Sequence, residues 1–274
     1  MKAENRKGCP QRESVEREEY AGAHSPGRRE GVERNGVSDL LERILDRNNL
    51  NRAYKRVKGN HGAPGIDGMT VEEALPWLKE DRKELLQSIW EGKYKPEPVR
   101  RKEIPKPDGG VRKLGNPTVI DRIIQQAITQ QLRQIYEPLF SEGSYGYRPG
   151  RSAQQAIQKV KENAQQGYTH AVTIDLTQYF DTLNHELLMN LLRKEIQDKR
   201  VIEMIKKYLK SGVMEKGVVR RTEEGAPQGG PLSPILANIY LKEFDREMER
   251  RGVRIVRYAD DIVVQAKSKR AAQR

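Results

Sequence analysis

Cysteine occurs once, at Cys9, and histidine only four times in 274 residues. One cysteine excludes an internal disulfide, and so few Cys and His side chains argue against a zinc site built from them. Any catalytic metal would have to be held by carboxylates. No apolar run approaches the roughly eighteen residues of a membrane span, and the N-terminus has no apolar core of a secretory leader. These absences fit a reducing cytoplasm and no membrane partner. What is abundant is charge: 33% charged against 35% hydrophobic residues, with Lys and Arg exceeding Asp and Glu by 51 to 39 for a net charge of +12. The chain is long enough to bury a real core in one large or two modest domains. A basic surplus of this size points to a polyanion, nucleic acid before an acidic membrane surface, although a merely soluble basic protein has the same arithmetic.

The surplus is not at the N-terminus. Residues 1–36 hold eight Lys/Arg against seven Glu and lack apolar periodicity, which predicts a disordered charged tail. A helical segment follows from Ser38, with apolar positions at 40, 41, 44, 45 and 50. HGAPGIDGMT (61–70) reads as a loop, and Val71 to Trp90 as two short helices around Pro76. Gly92 to Lys113 holds eight Lys/Arg and three acidic residues, with Asp108-Gly109 as a hairpin turn, so a basic β-hairpin is expected there. A solvated edge hairpin blunted by Lys and Arg would look the same. Ser152 is a candidate N-cap for the helix after YGYRPGR. Strands and helices mix without strict βαβ alternation, which makes the class α+β.

Two carboxylate positions stand out. Asp175 ends the apolar run HAVTI, and Asp260 and Asp261 sit between the runs Val253–Tyr258 and Ile262–Val264. Asp175 alone could equally cap a helix starting near Gln178. The second position shifts the balance, because an acid within an apolar strand is costly unless paired or metal-bound. Alternate strand residues face opposite ways, so a tight turn at 259–261 is needed to bring both acids to one tip. Asp260 is then the expected main partner of Asp175, with Asp261 secondary. Arg257 lies three residues before Asp260 and points elsewhere on a regular strand. Crowded carboxylates repel unless a cation neutralises them, and Mg²⁺ with phosphates as further ligands is the natural cation. Two such ions suit phosphoryl or nucleotidyl transfer.

The ordered blocks IPKPDGGVRKLGNPTVIDR, YGYRPGRSAQQAI, TIDLTQYFDTLNH, GAPQGGPLSPILANIYL and RYADDIVV resemble the reverse transcriptases, or maturases, encoded by bacterial group II introns. The resemblance runs from about residue 38 to 274. It implies a right-hand polymerase: an N-terminal helical extension at 37–91, fingers at 92–168, and a palm at 169–274 whose antiparallel sheet packs on helices. It implies that Asp175, Asp260 and Asp261, with the Leu176 carbonyl, hold two Mg²⁺ ions. Phe180 falls on the family's steric gate against the ribose 2′-OH, though a core aromatic is the commoner fate of a Phe. Lys106 and Arg112 match residues that bind the incoming triphosphate, Gln228 a residue that contacts the nucleotide, and Asn238 a weaker candidate. Gly229 and Gly230 would let backbone approach substrate or template. Tyr145, Tyr147, Arg148 and Arg151 combine aromatic faces with cations and would face template RNA, as would Arg100 and Arg101 of the basic hairpin. YGYRPG as a purely structural turn is the alternative.

The implied partners are an intron RNA template, a DNA primer or target, and dNTPs. The sequence departs from the family after YADD, where the rest of the palm, a primer-gripping hairpin and a helical thumb would follow. A thumbless fingers-and-palm fragment is therefore expected, with apolar surface exposed at the open end of the palm sheet. A non-catalytic RNA-binding splicing helper is the competing reading, and a retron or diversity-generating reverse transcriptase a third.

Overall fold

A computed structural model describes residues 39–105 and 109–273, and of Arg112 the backbone alone. The expected tail at 1–36 lies outside the described residues, as does Lys106. The described residues all belong to one compact unit, residues 35–274.

The first helical segment is two helices, α1 (Leu40–Leu45) and α2 (Arg47–Gly59), and not one. The break is at Asp46, whose extended ψ of 139° leaves its carboxylate to accept from the Asn48 and Asn49 N–H groups. An acid that satisfies otherwise orphaned N–H groups starts a new helix there. Val71 to Trp90 departs from expectation the other way. It forms the single helix α3 (Ala74–Trp90), because Pro76 falls in the first turn, where no intrahelical donor is required.

The basic segment forms the expected hairpin of β1 (Val99–Pro105) and β2 (Val111–Asn116), paired antiparallel from Arg100↔Asn116 to Pro105↔Val111. Helix α4 (Val119–Tyr136) follows, buried along most of its length. It is the centre of the core: α1, α2 and, later in the chain, the helix after PQGG all pack on it. Polar contacts set the docking. Asn49 donates to the Ala127 carbonyl (3.1 Å) and accepts from Gln131 (2.9 Å), while Arg122 donates to the Ala63 carbonyl of the 61–70 loop (2.8 Å).

Helix α5 (Ala153–Gln165) begins with the predicted Ser152 cap, a full capping box with Gln155. It is followed by β3 (His170–Asp175), α6 (His185–Arg193) and α7 (Lys199–Leu209). The short strands β4 (Val213–Glu215) and β5 (Val218–Arg220) come next. Then follow α8 (Ser233–Arg250), β6 (Arg254–Tyr258), β7 (Asp261–Ala266) and a last turn, α9 (Lys269–Ala272).

Two sheets result. One has the order β2-β1-β4-β5 and the other β3-β7-β6, the second wholly antiparallel. The first sheet unites strands from both sides of residue 168, since β4 pairs parallel to β1. In the second, α5 packs on β6 and β7, and α8 packs on β6. Gln265 of β7 accepts from Asn163 of α5 (2.9 Å) and donates to the Val160 carbonyl (3.0 Å). Strand β3 is the edge, exposed along its whole length, with Val172 and Ile174 each 37% accessible.

Asp46→Ala removes the cap of α2 and should cost about 1 kcal/mol. The melting temperature should fall by roughly 2–4 °C, read by thermal denaturation. An unchanged melt would mean that the break between α1 and α2 does not depend on this carboxylate.

Candidate active site

The strand register builds the site. Asp175, the last residue of β3, lies directly opposite Asp261, the first residue of β7, and Tyr258 closes the hairpin opposite Asp261 on the other side. Asp175, Asp261 and Tyr258 therefore share one face, and Ile174, Ile262 and Arg257 the other. Directly opposed residues of antiparallel strands have Cβ atoms roughly 4.5–5.5 Å apart. Ala259 and Asp260 form the two-residue turn, and of these only Ala259 has a positive φ, 60°. Glycine is the usual residue at such a position.

Register and exposure define how the three acids stand. The strand partner of Asp175 is Asp261, and Asp260 stands beside that pair in the turn, because pairing closes at Tyr258↔Asp261. The strand carrying Asp175 is also not buried: Asp175 and Asp261 are exposed and Asp260 half-buried, so their mutual repulsion, more than full desolvation, is what a cation would relieve. The Asp261 carboxyl is held above its ordinary value, first by partial burial and then by the negative charges of Asp260 and Asp175. Among the described residues, no three His, Cys, Asp or Glu side chains are gathered closely enough to hold a metal alone. The donor set nevertheless fits a hard divalent cation, which characteristically takes one or two carboxylates and completes its shell with water and substrate phosphates.

Three loops surround this tip. The turn Tyr179–Asp181 after β3 carries Phe180, half-buried, its ring 5.5 Å from that of Tyr179 and 6.2 Å from that of Tyr147, edge-on in both cases. The Leu176 carbonyl accepts from the Tyr179 N–H (3.3 Å), one of its two lone pairs being so used. The PQGG loop seats against the same turn: the Ala226 N–H donates to the Phe180 carbonyl and the Gly225 N–H to Leu183, both at 2.7 Å. At its other end the Gln228 carbonyl accepts from the Gly115 N–H of β2 (2.6 Å). The glycines that follow serve this packing. A Cβ on Gly229 would meet the Gly115 carbonyl at 2.5 Å, and one on Gly230 would meet Gln125 Oε1 at 2.5 Å. The two glycines therefore let PQGG join β2 and α4 closely.

The third loop, YGYRPGR, divides. Tyr147 is 43% exposed, has φ 61° and faces Phe180. Tyr145 is buried with Ala156 and Val256, and Arg148 is buried with its guanidinium committed to Glu137 and to the carbonyls of Ser141 and Ser144. The expectation that Tyr145 and Arg148 face RNA is corrected: both hold the loop in shape. Arg151 lies over the Tyr145 ring and pairs with Glu142. Gly146 is where this loop meets the Asp260 turn, since a Cβ there would lie 2.2 Å from the Ala259 nitrogen. Asn238, a candidate nucleotide contact, is 1% exposed and donates to the Gly146 carbonyl (2.8 Å), so it too supports and does not touch. On the hairpin Arg100 is exposed and Arg101 half-buried. The Arg112 backbone pairs with Ile104.

Residues 104–274 match the family model described as reverse transcriptase (RNA-dependent DNA polymerase). This chain belongs to that family. Protein YkfC of Escherichia coli K12 is 40% identical over 198 residues, and the group II intron-encoded protein LtrA of Lactococcus lactis 39% over 195, each match covering 71% of this chain. The matches span 52% of YkfC and 32% of LtrA, so this reverse transcriptase chain covers about half of one relative and about a third of the other. Among solved structures, a partial Cas6-RT-Cas1–Cas2 complex contains a chain that aligns with TM-score 0.54 at 26% identity, over 84% of this chain and 38% of that one. As a family, reverse transcriptases use Mg²⁺.

The raised pKa of Asp261 has a signed consequence. Its ionisation opposes folding, so the stability it contributes is present below its ordinary value of 3.8 and is lost as pH rises through the raised value. In metal-free buffer at pH 7, Asp261→Asn should melt about 1–3 °C above the parent, the effect being small because the group is screened by solvent. The gain should shrink as pH falls toward 3.8. A pH-independent gain, or a lower melt at pH 7, would contradict the crowding.

Proposed function

We propose that this chain is the fingers-and-palm portion of a group II intron RNA-directed DNA polymerase. The observation that carries the reading is the opposition of Asp175 and Asp261 across β3 and β7, with Asp260 in the adjoining turn. Asp175, Asp260 and Asp261, with the free lone pair of the Leu176 carbonyl, would hold two Mg²⁺ ions. When bound, such ions would favour ionisation of the primer 3′-hydroxyl and stabilise negative charge on the leaving pyrophosphate.

The chain's own residues supply the rest. Phe180, whose ring is held edge-on by Tyr147 and Tyr179, would act as the gate against a ribose 2′-hydroxyl. Lys106 and Arg112 of the basic hairpin neutralise the incoming triphosphate, and Gln228 borders the same nucleotide. Arg100, Arg101, Tyr147 and Arg151 face the template side. Cytoplasmic work on intron RNA and a DNA primer follows from this reading; among the described residues no helix is long and apolar enough to cross a membrane.

A second reading, an RNA-binding splicing helper, is favoured by α2. Its exposed positions include Arg47, Arg52, Lys55, Arg56 and Lys58, and the helix contains no acidic residue. The two readings can coexist in one protein.

Primer extension on an RNA template with dNTPs and Mg²⁺, using the 274-residue chain and its Asp260→Ala variant, tests the first. DNA synthesis should be lost by at least a hundredfold in the variant, with RNA binding within a few-fold of the parent. Parallel loss of both would overturn the assignment of Asp260 to chemistry. RNA affinity itself should weaken by at least about tenfold between 50 and 200 mM salt, as release of counterions from several phosphates requires. A flat salt response would argue against a phosphate-tracking surface.

A further inference from the structure

One buried arginine is unused by the chemistry above. Arg257 is 0% exposed, in the strand run IVRY that leads into the aspartate turn, on the face opposite Asp261. A guanidinium has five N–H donors. Here each has an acceptor. Nε donates to Asp245 Oδ1 (2.9 Å) and Nη2 to Asp245 Oδ2 (2.6 Å). Nη2 also donates to Ser144 Oγ (2.8 Å). Nη1 donates to Asn238 Oδ1 (3.0 Å) and to the Ala259 carbonyl (2.9 Å). Asp245, Ser144 and Asn238 are themselves at most 1% exposed.

The last of these contacts matters most. The Ala259 carbonyl belongs to the peptide that leads directly into Asp260. Ala259 holds φ 60°, a left-handed conformation that costs a non-glycine residue energy and persists only where its surroundings impose it. The surroundings here are the guanidinium on the carbonyl side and Gly146 packed against the Ala259 nitrogen. Asn238 joins the two, accepting from Arg257 and donating to Gly146. Backbone bonds complete the clamp: the Arg257 N–H donates to Gly143 and its carbonyl accepts from Tyr145, both at 2.8 Å.

Stability is a poor explanation for such a cluster. Taking two charges out of water costs several kcal/mol, and well-packed apolar replacements of a buried ion pair are often neutral or stabilising. A lysine could meet the Asp245 charge but could not reach five acceptors at fixed angles.

We propose that Arg257, held by Asp245, Asn238 and Ser144, is a positioning residue for the site. It fixes the Ala259–Asp260 peptide, and through it the direction in which the turn presents its carboxylates to a divalent cation. The inference rests on the metal-site reading of Asp175, Asp260 and Asp261, and extends it to residues behind the sheet.

The test is binding of Tb³⁺ by the whole 274-residue chain, followed by luminescence excited through tyrosine, alongside each variant's melting temperature. The binding component lost in Asp260→Asn defines the site. Two variants are compared with the parent: Arg257→Lys, and the double variant Arg257→Met with Asp245→Leu, which removes the buried charges together. The expected result is a melting temperature close to the parent in the double variant, with site affinity down about tenfold or more, as for other residues that orient metal ligands. Parental affinity in both variants overturns the tether while leaving the metal site intact. Loss of folding in both makes the cluster a folding element and also overturns it. A parent indistinguishable from Asp260→Asn overturns the metal reading, and the tether with it.

Discussion

The register of β7 against β3 is the constraint on which the site depends. A slip of one residue would turn every side chain of β7 to the opposite face, sending Asp261 to the side that Arg257 occupies. The sheet must therefore be pinned while it carries crowded negative charges at one end. It is pinned from both faces. Gln265 binds β7 to α5 through Asn163 and the Val160 carbonyl, and Arg257 binds β6 to α8 through Asp245. These anchors are polar and directional, so they select one register where apolar residues such as Val263 and Val264 would tolerate several. The repulsion at the tip is offset by packing along the strands, and a cation would remove it.

The surroundings of the tip show how distant segments are made to meet. The loop at 225–230 is bound at one end to the Phe180 turn and at the other to β2 of the basic hairpin, with glycines wherever a Cβ would collide. The 144–150 loop is held to the aspartate turn by Gly146 and Asn238, which leaves Tyr147 to lean on Phe180. Segments from both sides of residue 168 thus meet around the aspartate turn, and the four-stranded sheet joins β1 to β4 as well. Strand β3 stays an open edge, with Val172 and Ile174 partly exposed on the face opposite Asp175 and Asp261.

Much of this was legible in the sequence, for identifiable reasons. The pairing of β1 with β2, the Ser152 cap and the tight aspartate turn follow from local stereochemistry. The helix break at Asp46 was missed because its apolar period continues through it, and only the capping geometry ends α1. Pro76 was read as a breaker because its distance from the helix start was unknown. Tyr145 and Arg148 were indistinguishable by type from Tyr147 and Arg151; what sorts them is which carbonyls the loop turns inward, a property of the folded backbone. Arg257 was rightly read as pointing away from the acids. Its role stayed hidden because Asp245 and Ser144 come from remote segments, although a lone cation inside IVRY was a signal that a buried partner existed.

On the proposed reading, Asp175, Asp260 and Asp261 together bind divalent cation for nucleotidyl transfer. Anomalous diffraction from crystals of the chain soaked with Mn²⁺ and a dNTP tests it most directly. Anomalous density for Mn²⁺ is expected among these three carboxylates, with the nucleotide phosphates adjoining it and the base beside Phe180. Nucleotide bound there with no Mn²⁺ at the aspartates, or Mn²⁺ held by carboxylates elsewhere, would contradict it.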